Sequence, residues 1–435
     1  MRNKSLVILY ALILISAELF LILPKTYYNL FDYQIRANFT FLFVLSLIAL
    51  CFFIFIVNGR IIVIKTSVPN MFFYSILIWF VSTFLFTLFN HIIYPSLDDY
   101  IIKTIIEFSK WASGIAVLYI GLRFIRWEES DLKQIFILMT ILSVAICSIL
   151  IYRYRLFDIH NWIYLSPKEN RIYSVWESIA KNEIPEVLTL ISLILLSILA
   201  TEKRRSLRLT YIIFAVVLIS TSLFFFSRES YLTMFAGFFF LIMIKRVTNI
   251  SKVIAWSLLG VSLIFFLRMP FGRRVTDSIQ TIDVDPNEAT SFRLDRWTSA
   301  IEIGLKHPLT GVGFCGFENF EKNHQGTSAH NAFLQSLCIG GIPQLVIFLI
   351  VLFNVYKEIR KALQKKGTIF LKSFVEGLFS FYIGYVISAL FSDHFISFYY
   401  LNLIFWGLFA IAISIAERTS QNNGEVDPPR LLSYS

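Results

Sequence analysis

Apolar runs of about 18–20 residues recur along almost the whole chain, which is the length a helix needs to cross a bilayer core. Inside lipid, every backbone N–H and C=O must be paired within the protein, and a continuous apolar run meets that demand as an α-helix. About twelve spans can be read, at 5–23, 38–57, 71–90, 101–121, 132–151, 185–200, 209–226, 231–244, 253–267, 336–356, 373–391 and 395–416. Only 16% of the 435 residues are charged, against roughly 25% in a soluble domain. The expected fold class is therefore all-α: a polytopic membrane protein forming a single transmembrane domain over 1–435, with no soluble domain of ordinary size. MRNK followed by an apolar run lacks a small-x-small cleavage site before Pro24, so the first run reads as an uncleaved span.

The net charge of +10 does not call for nucleic acid, because Lys and Arg collect on the cytoplasmic side of membrane proteins and face anionic lipid there. Short basic loops at 202–208, 245–252 and 357–372 fall on one side with the N-terminus, which makes that side cytoplasmic. The tail 417–435 is then cytoplasmic as well, and its QNNGEVDPPR composition reads as disordered. The opposite side receives 152–184, whose Trp and Tyr suit the headgroup level, together with the turns at Ser227–Ser230 and Ser392–His394. It also receives one large hydrophilic stretch, 268–335, rich in Arg, His and Gly. Within it, Phe292, Trp297, Ile301 and Leu305 have near-helical spacing, and Pro308 would end that helix.

Membrane spans cannot do much polar chemistry, so it is expected in this external loop. Arg228, in Ser227-Arg228-Glu229-Ser230, ends a hydrophobic span. It reads either as an anion-binding group aimed into a cavity or as a turn residue that snorkels to the headgroups or pairs with Glu229. Arg293 and Arg296 flank Trp297's turn, and arginine's planar fork suits a diphosphate. For Arg296, and for Arg268, Arg273 and Arg274, a headgroup-facing patch is the simpler reading. His330 and Asn331 stand where the loop enters an apolar helix that continues to Gly340-Gly341 and Pro343. An imidazole there can take a proton from a hydroxyl; the plainer alternative is a helix-start residue bonded to its own backbone. Asp393 could face the same cavity. Lys103, Glu107 and Lys110 share a helix face and are expected to pair with one another. Cys51, Cys147, Cys315 and Cys338 have no metal-ligand spacing, and nothing in the sequence calls for a metal or another cofactor.

Taken in order, these elements resemble the O-antigen ligase and O-antigen or capsule polymerase superfamily. They are Ser-Arg-x-x-x-Leu at Ser227, Arg228 and Leu232; Arg-x-x-x-Trp at Arg293 and Trp297; His-Pro-Leu-x-Gly-Val-Gly at His307–Gly313; and His330-Asn331-x-x-Leu334 leading to Gly340-Gly341. The resemblance covers about 200–340. One departure is the pair Gly340-Gly341 followed by Pro343, where the family more often shows separated glycines. The resemblance implies a bacterial inner-membrane glycosyltransferase of the GT-C type, independent of metal, with an external active site. It would move a glycan, with inversion, from undecaprenyl diphosphate to an acceptor hydroxyl. The resemblance then implies His330 as general base, Arg228 and Arg293 as diphosphate ligands, and Asn331, Arg296 and Asp393 in support. The acceptor would be a lipid-linked glycan for a polymerase, which the composition favours, or lipid A-core for a ligase. A lipid-linked glycan flippase or other transporter is the distant alternative.

Overall fold

The computed structural model describes residues 4–19, 28–30, 33–35, 49, 70–94, 101–154, 182–225, 227–245, 293–320 and 328–423. Apart from a hairpin of two three-residue strands, Tyr28–Leu30 antiparallel to Tyr33–Ile35, the described elements are helices. In chain order they are α1 (Lys4–Leu19), α2 (Asn70–Ile93), α3 (Ile101–Arg123), α4 (Glu129–Tyr154), α5 (Glu183–Leu199), α6 (Arg205–Phe224) and α7 (Arg228–Ile244). They continue with α8 (Arg293–Lys306), α9 (Phe317–Phe320), α10 (Ala332–Gln364), α11 (Ile369–Ser388), α12 (His394–Ser397) and α13 (Tyr399–Asn423). Seven of them, α2, α3, α4, α6, α10, α11 and α13, are long and apolar enough to cross a membrane. The expected spans 5–23, 185–200 and 231–244 correspond to the shorter α1, α5 and α7. The spans 38–57 and 253–267 lie outside the described residues, as do nearly all of 152–184, the Arg268–Arg274 patch and 424–435.

Two boundaries differ from the sequence reading. Helix α10 extends through the first half of the basic segment 357–372 and α11 begins at Ile369, so the segment is a loop only from 365 to 368. Helix α13 runs past Glu417, which is buried in an ion pair with Lys365, so the expected tail begins as helix. Lys and Arg in these stretches are good helix formers, and a helix that has left the membrane has no reason to stop there.

The core is assembled around α11 and α13. The α13 span is buried along its whole length, whereas α2 and α6 are mostly exposed. Helix α11 lies between α5 and α7 because its small residues let backbones approach. A Cβ on Gly377 would meet the Ile194 backbone at 2.4 Å, and one on Gly384 would meet the Thr233 carbonyl at 2.2 Å. At one end of this layer Lys245 donates to Ser373 (3.2 Å) and pairs with Glu376, while Thr201 and Ser373 share a hydroxyl hydrogen bond (3.0 Å). The C-terminal ends of α5 and α7, with Thr201 and Lys245, therefore share one end of the bundle with the start of α11, which the basic residues after α10 lead into.

The other end is organised by a break in α10. Gly340 and Gly341 leave helical geometry, with Gly341 at φ +66° and ψ −158°. Pro343 has no N–H, so the carbonyl of Ile339 loses its helical donor. The His307–Gly313 loop fills the gap. Val312 and Gly313 donate to the carbonyls of Cys338 (2.6 Å) and Ile339 (3.0 Å), and Ile342 donates to the Pro308 carbonyl (2.7 Å). The Gly340-Gly341-x-Pro343 variation is thus answered, bond for bond, by the preceding loop. Helix α2 holds that loop from outside: Asn90 donates to the Thr310 carbonyl (3.1 Å) and Thr87 Oγ1 accepts from Phe314 N (3.0 Å). One turn beyond the break, Gln344 bonds Thr83 (2.5 Å) and Ser82 (2.6 Å) of α2. Gly341→Ala should lose about 2 kcal/mol or more of stability, because φ is left-handed and the new Cβ would stand 2.2 Å from the Pro308 carbonyl oxygen. Gly367→Ala, where a Cβ meets only the Leu371 side chain at 3.4 Å, should be near neutral. Thermal unfolding of the two variants in one detergent gives the comparison.

Candidate functional site

The helix expected inside the polar loop is present as α8, but it buries a different face. Ile301 and Leu305 are exposed, and Ala300, Ile303 and Gly304 are buried. Small residues win because α8 packs directly on α10: a Cβ on Gly304 would sit 2.5 Å from Leu337, and Cys338 Sγ lies 3.5 Å from the Ala300 carbonyl. The first turn of α8 carries Arg293, Arg296 and Trp297 on the side of that packed face, since positions i, i+3 and i+4 are neighbours.

Helix α7 begins beside it. Ser227 caps α7, its hydroxyl accepting from Ser230 N at 3.4 Å. Arg228 is the first helical residue; its side chain lies outside the described residues. Glu229 is buried and accepts from Arg293 Nη2 at 2.6 Å. The sequence alternative paired Glu229 with Arg228; the structure gives it Arg293. Burying two ions is costly unless they meet with good geometry, so this pair fixes the start of α8 against the start of α7.

His330 lies opposite, immediately before α10, at φ +47°, an uncommon conformation for a side-chain-bearing residue. Its neighbours explain how it is held there. Asn331 is the α10 cap, accepting from Phe333 N and Leu334 N (3.0 Å each), and its amide donates to the Leu390 carbonyl (2.9 Å). Ala332 N lies 2.9 Å from the carbonyls of both Ala389 and Ser392. The start of α10 is thus fastened to the turn between α11 and α12. Asn331 acts through the backbone and makes no hydrogen bond to the His330 ring among the described residues. The same fastening brings Asp393 to His330: Nδ1 and Oδ1 are 3.9 Å apart, and the carboxylate is buried. Burial lowers the His330 pKa below its ordinary value; Asp393 pulls it up, and Arg296 and Arg293 push it down further. The ring is consequently neutral at pH 7, as a proton acceptor must be.

Arg228, Arg293, Arg296, His330, Asn331 and Asp393 all belong to the same end of the fold. Asp393 and His394, adjacent in sequence, separate. His394 turns inward, stacked on Tyr385 (4.1 Å), with Nε2 3.0 Å from the Tyr385 carbonyl and 3.1 Å from Ser388 Oγ. Two carboxylates given no place at the site by the sequence reading lie beside it. Glu229 is one. Glu186, on α5, is the other: it is fully buried and accepts from Thr233 Oγ1 (2.9 Å), which is also 2.8 Å from Ser388 Oγ. A lone carboxylate inside an apolar run was the available signal. Of the charged trio on α3, Lys110 pairs with Glu107 (2.7 Å), but Lys103 reaches Glu318 of α9 instead (2.7 Å). The third member therefore joins α3 to the polar loop. His307 accepts or donates to Tyr94 Oη at 3.1 Å, at the far end of α8.

With the geometry in view, residues 213–349 match a family model described as O-antigen ligase. That stretch runs from α6 into α10 and takes in Ser227–Leu232, Arg293–Trp297, His307–Gly313 and His330–Gly341. No curated protein matches the chain. The family match supports the O-antigen ligase and polymerase superfamily, whose members are glycosyltransferase-like enzymes of polysaccharide biosynthesis. Among the described residues the chain has seven helices long and apolar enough to cross a membrane, and its 213–349 stretch is similar to that family.

The site predicts an acid limit to stability. Burial lowers the His394 pKa to about 4, against 6.5 for the free group. The unfolded chain then binds the proton first as pH falls. Stability is therefore full above about pH 6.5 and declines down to about pH 4. His394→Gln should remove part of this decline while lowering stability at pH 7, which unfolding measured across pH 4–8 in one detergent reads directly.

Proposed function

We propose that the chain is a polymerase that joins undecaprenyl-diphosphate-linked repeat units at the external membrane face, by metal-independent glycosyl transfer with inversion. The observation that carries the reading is His330, kept neutral by burial, set 3.9 Å from the Asp393 carboxylate and within the electrostatic reach of Arg293 and Arg296. We assign the hydrogen to Nδ1, the nitrogen on the Asp393 side at 3.9 Å, which leaves Nε2 free to act as base. Nε2 takes the proton of the acceptor hydroxyl. The oxygen attacks the anomeric carbon, and the bond from that carbon to the diphosphate breaks with its electron pair on the leaving group. Arg228 and Arg293 stabilise that charge. Arg293 already gives one N–H to Glu229, so it meets the phosphate with a fixed fork and its remaining donors.

The same chemistry with lipid A-core as acceptor is a ligase, and the family match at 213–349 fits both acceptors equally. Purified protein supplied with lipid-linked glycan separates them. Longer chains identify a polymerase, and product that requires lipid A-core identifies a ligase. No transfer with either acceptor leaves a transporter.

His330→Ala should lower turnover by about 100- to 10,000-fold, the range of general acid–base catalysis. The wild-type rate should fall on the acid side of pH 6.5, because only the neutral ring accepts a proton and its pKa lies below that value. A His330→Gln variant that stays active with a flat profile would reduce His330 to a binding residue. Arg293→Ala should lose on the order of 100-fold in rate, and Arg293→Lys should recover only part, lacking the bidentate fork.

Orientation follows the basic segments gathered at the opposite end of the bundle. In a chain cleared of native cysteines, an introduced cysteine near 285 should label from the external side and one near 365 only from the cytoplasm. A cytoplasmic 285 would overturn the external site together with the topology.

A further inference from the structure

We propose that Trp297, Arg296 and Phe391 form a carbohydrate subsite that holds the acceptor sugar against His330. The inference rests on the transferase reading above and adds the surface by which the second substrate is recognised.

The first observation is an imbalance in the opening turn of α8. Arg293 is satisfied by Glu229, but its two neighbours on the same side are not. Arg296 Nε and Trp297 Nε1 are both buried, and neither has a hydrogen-bond partner among the described residues. Buried N–H groups are nearly always paired, and each exception calls for an explanation. The second observation is what surrounds them. The Trp297 and Phe391 rings lie 5.9 Å apart, tilted by 50°, and Phe391 remains 40% exposed. Phe391 stands two residues before Asp393, whose carboxylate is 3.9 Å from the His330 ring. Arg296 is close enough to His330 to oppose its protonation. Two aromatic walls and two uncommitted donors therefore border the imidazole.

The chemistry of these groups selects the ligand. A lipid tail would cover the rings and leave both N–H groups unpaired. A diphosphate would engage the guanidinium and leave the rings uncovered. A pyranose satisfies both: its C–H face covers an aromatic ring, and its ring and hydroxyl oxygens accept hydrogen bonds. The acceptor is the sugar concerned, because its hydroxyl is the group that must reach His330 while the diphosphate of the donor is held by arginines.

The test uses the full chain in lipid nanodiscs. The probe is the lipid-free repeat-unit oligosaccharide released by mild acid from the surface polysaccharide of the organism that encodes it. Without a diphosphate, this probe cannot serve as donor, and isothermal titration reads its affinity independently of turnover. Trp297→Phe keeps the ring and removes one donor; it should weaken binding about 5- to 10-fold. Phe391→Leu should weaken it comparably, and it provides a second reading at an exposed position should α8 tolerate no change. If both variants bind the oligosaccharide as the wild type does, or the wild type does not bind it, the subsite is wrong. A wild type that binds through Trp297 yet transfers no glycan keeps the subsite and removes the transferase reading. A wild type that transfers while the variants bind normally does the reverse.

Discussion

A backbone inside a membrane cannot leave a carbonyl unpaired, and the break in α10 creates that problem at Gly340–Pro343. Everything at the candidate site depends on how it is solved. The carbonyls freed by Gly341 and Pro343 are taken by Val312 and Gly313, and the Pro308 carbonyl takes the N–H of Ile342. These bonds anchor the loop at the C-terminal end of α8. Once that end is fixed, α8 can lie on α10 only where Gly304 and Ala300 permit close approach. Its first turn is then delivered beside the start of α10, where His330 stands. The glycines of the His307–Gly313 element therefore position arginines three turns away, with no contact to the reacting groups themselves.

The electrostatics of the site divide into a fixed part and a free part. Glu229 and Arg293 cancel, and their short contact orients one guanidinium. Among the described residues Asp393 has no such partner. It faces an imidazole that burial keeps neutral, so its charge remains available to stabilise the imidazolium formed when a proton arrives. Arg296 opposes that protonation from the other side. A diphosphate bound at the arginines would offset this opposition, because its negative charge favours the imidazolium. Donor binding would thereby strengthen the base that deprotonates the acceptor hydroxyl, which couples the two substrates through charge alone.

The sequence carried much of this, and the limits have physical causes. Apolar runs gave the all-helical class directly, because run length and bilayer thickness are linked. They gave span ends poorly: nothing in residues 357–364 says whether a basic helix stops at the membrane surface or continues beyond it, and here it continues. Helix α8 was legible from periodicity, but its buried face was not. Hydrophobicity pointed to Ile301 and Leu305, whereas close helix approach selects small residues. Among site residues, the motifs brought forward Arg228, Arg293 and His330. Glu229 was read as a local partner of Arg228, since sequence shows neighbours along the chain and not across it. The meeting of Asp393 with His330 depends on the bonds from Ala332 N to the α11–α12 turn, and backbone bonds leave no trace in side-chain identity.

The left-handed backbone at His330 is the last consequence of the same fastening. A helix entered through an asparagine cap starts from extended geometry, and Asn331 has φ −156°. The carbonyls of Ala389 and Ser392 together surround Ala332 N, and Leu390 takes the Asn331 amide, so the chain must arrive from one direction only. The residue just before the cap absorbs the turn. His330 does so at φ +47°, which places its ring over Asp393. A glycine would make that turn at less cost; a histidine there trades stability for an imidazole at the meeting point of α8, α10 and the α11–α12 turn. That trade is typical of groups that perform chemistry, and it distinguishes His330 from His394, which is fully buried, stacked on Tyr385 and committed to its backbone carbonyl.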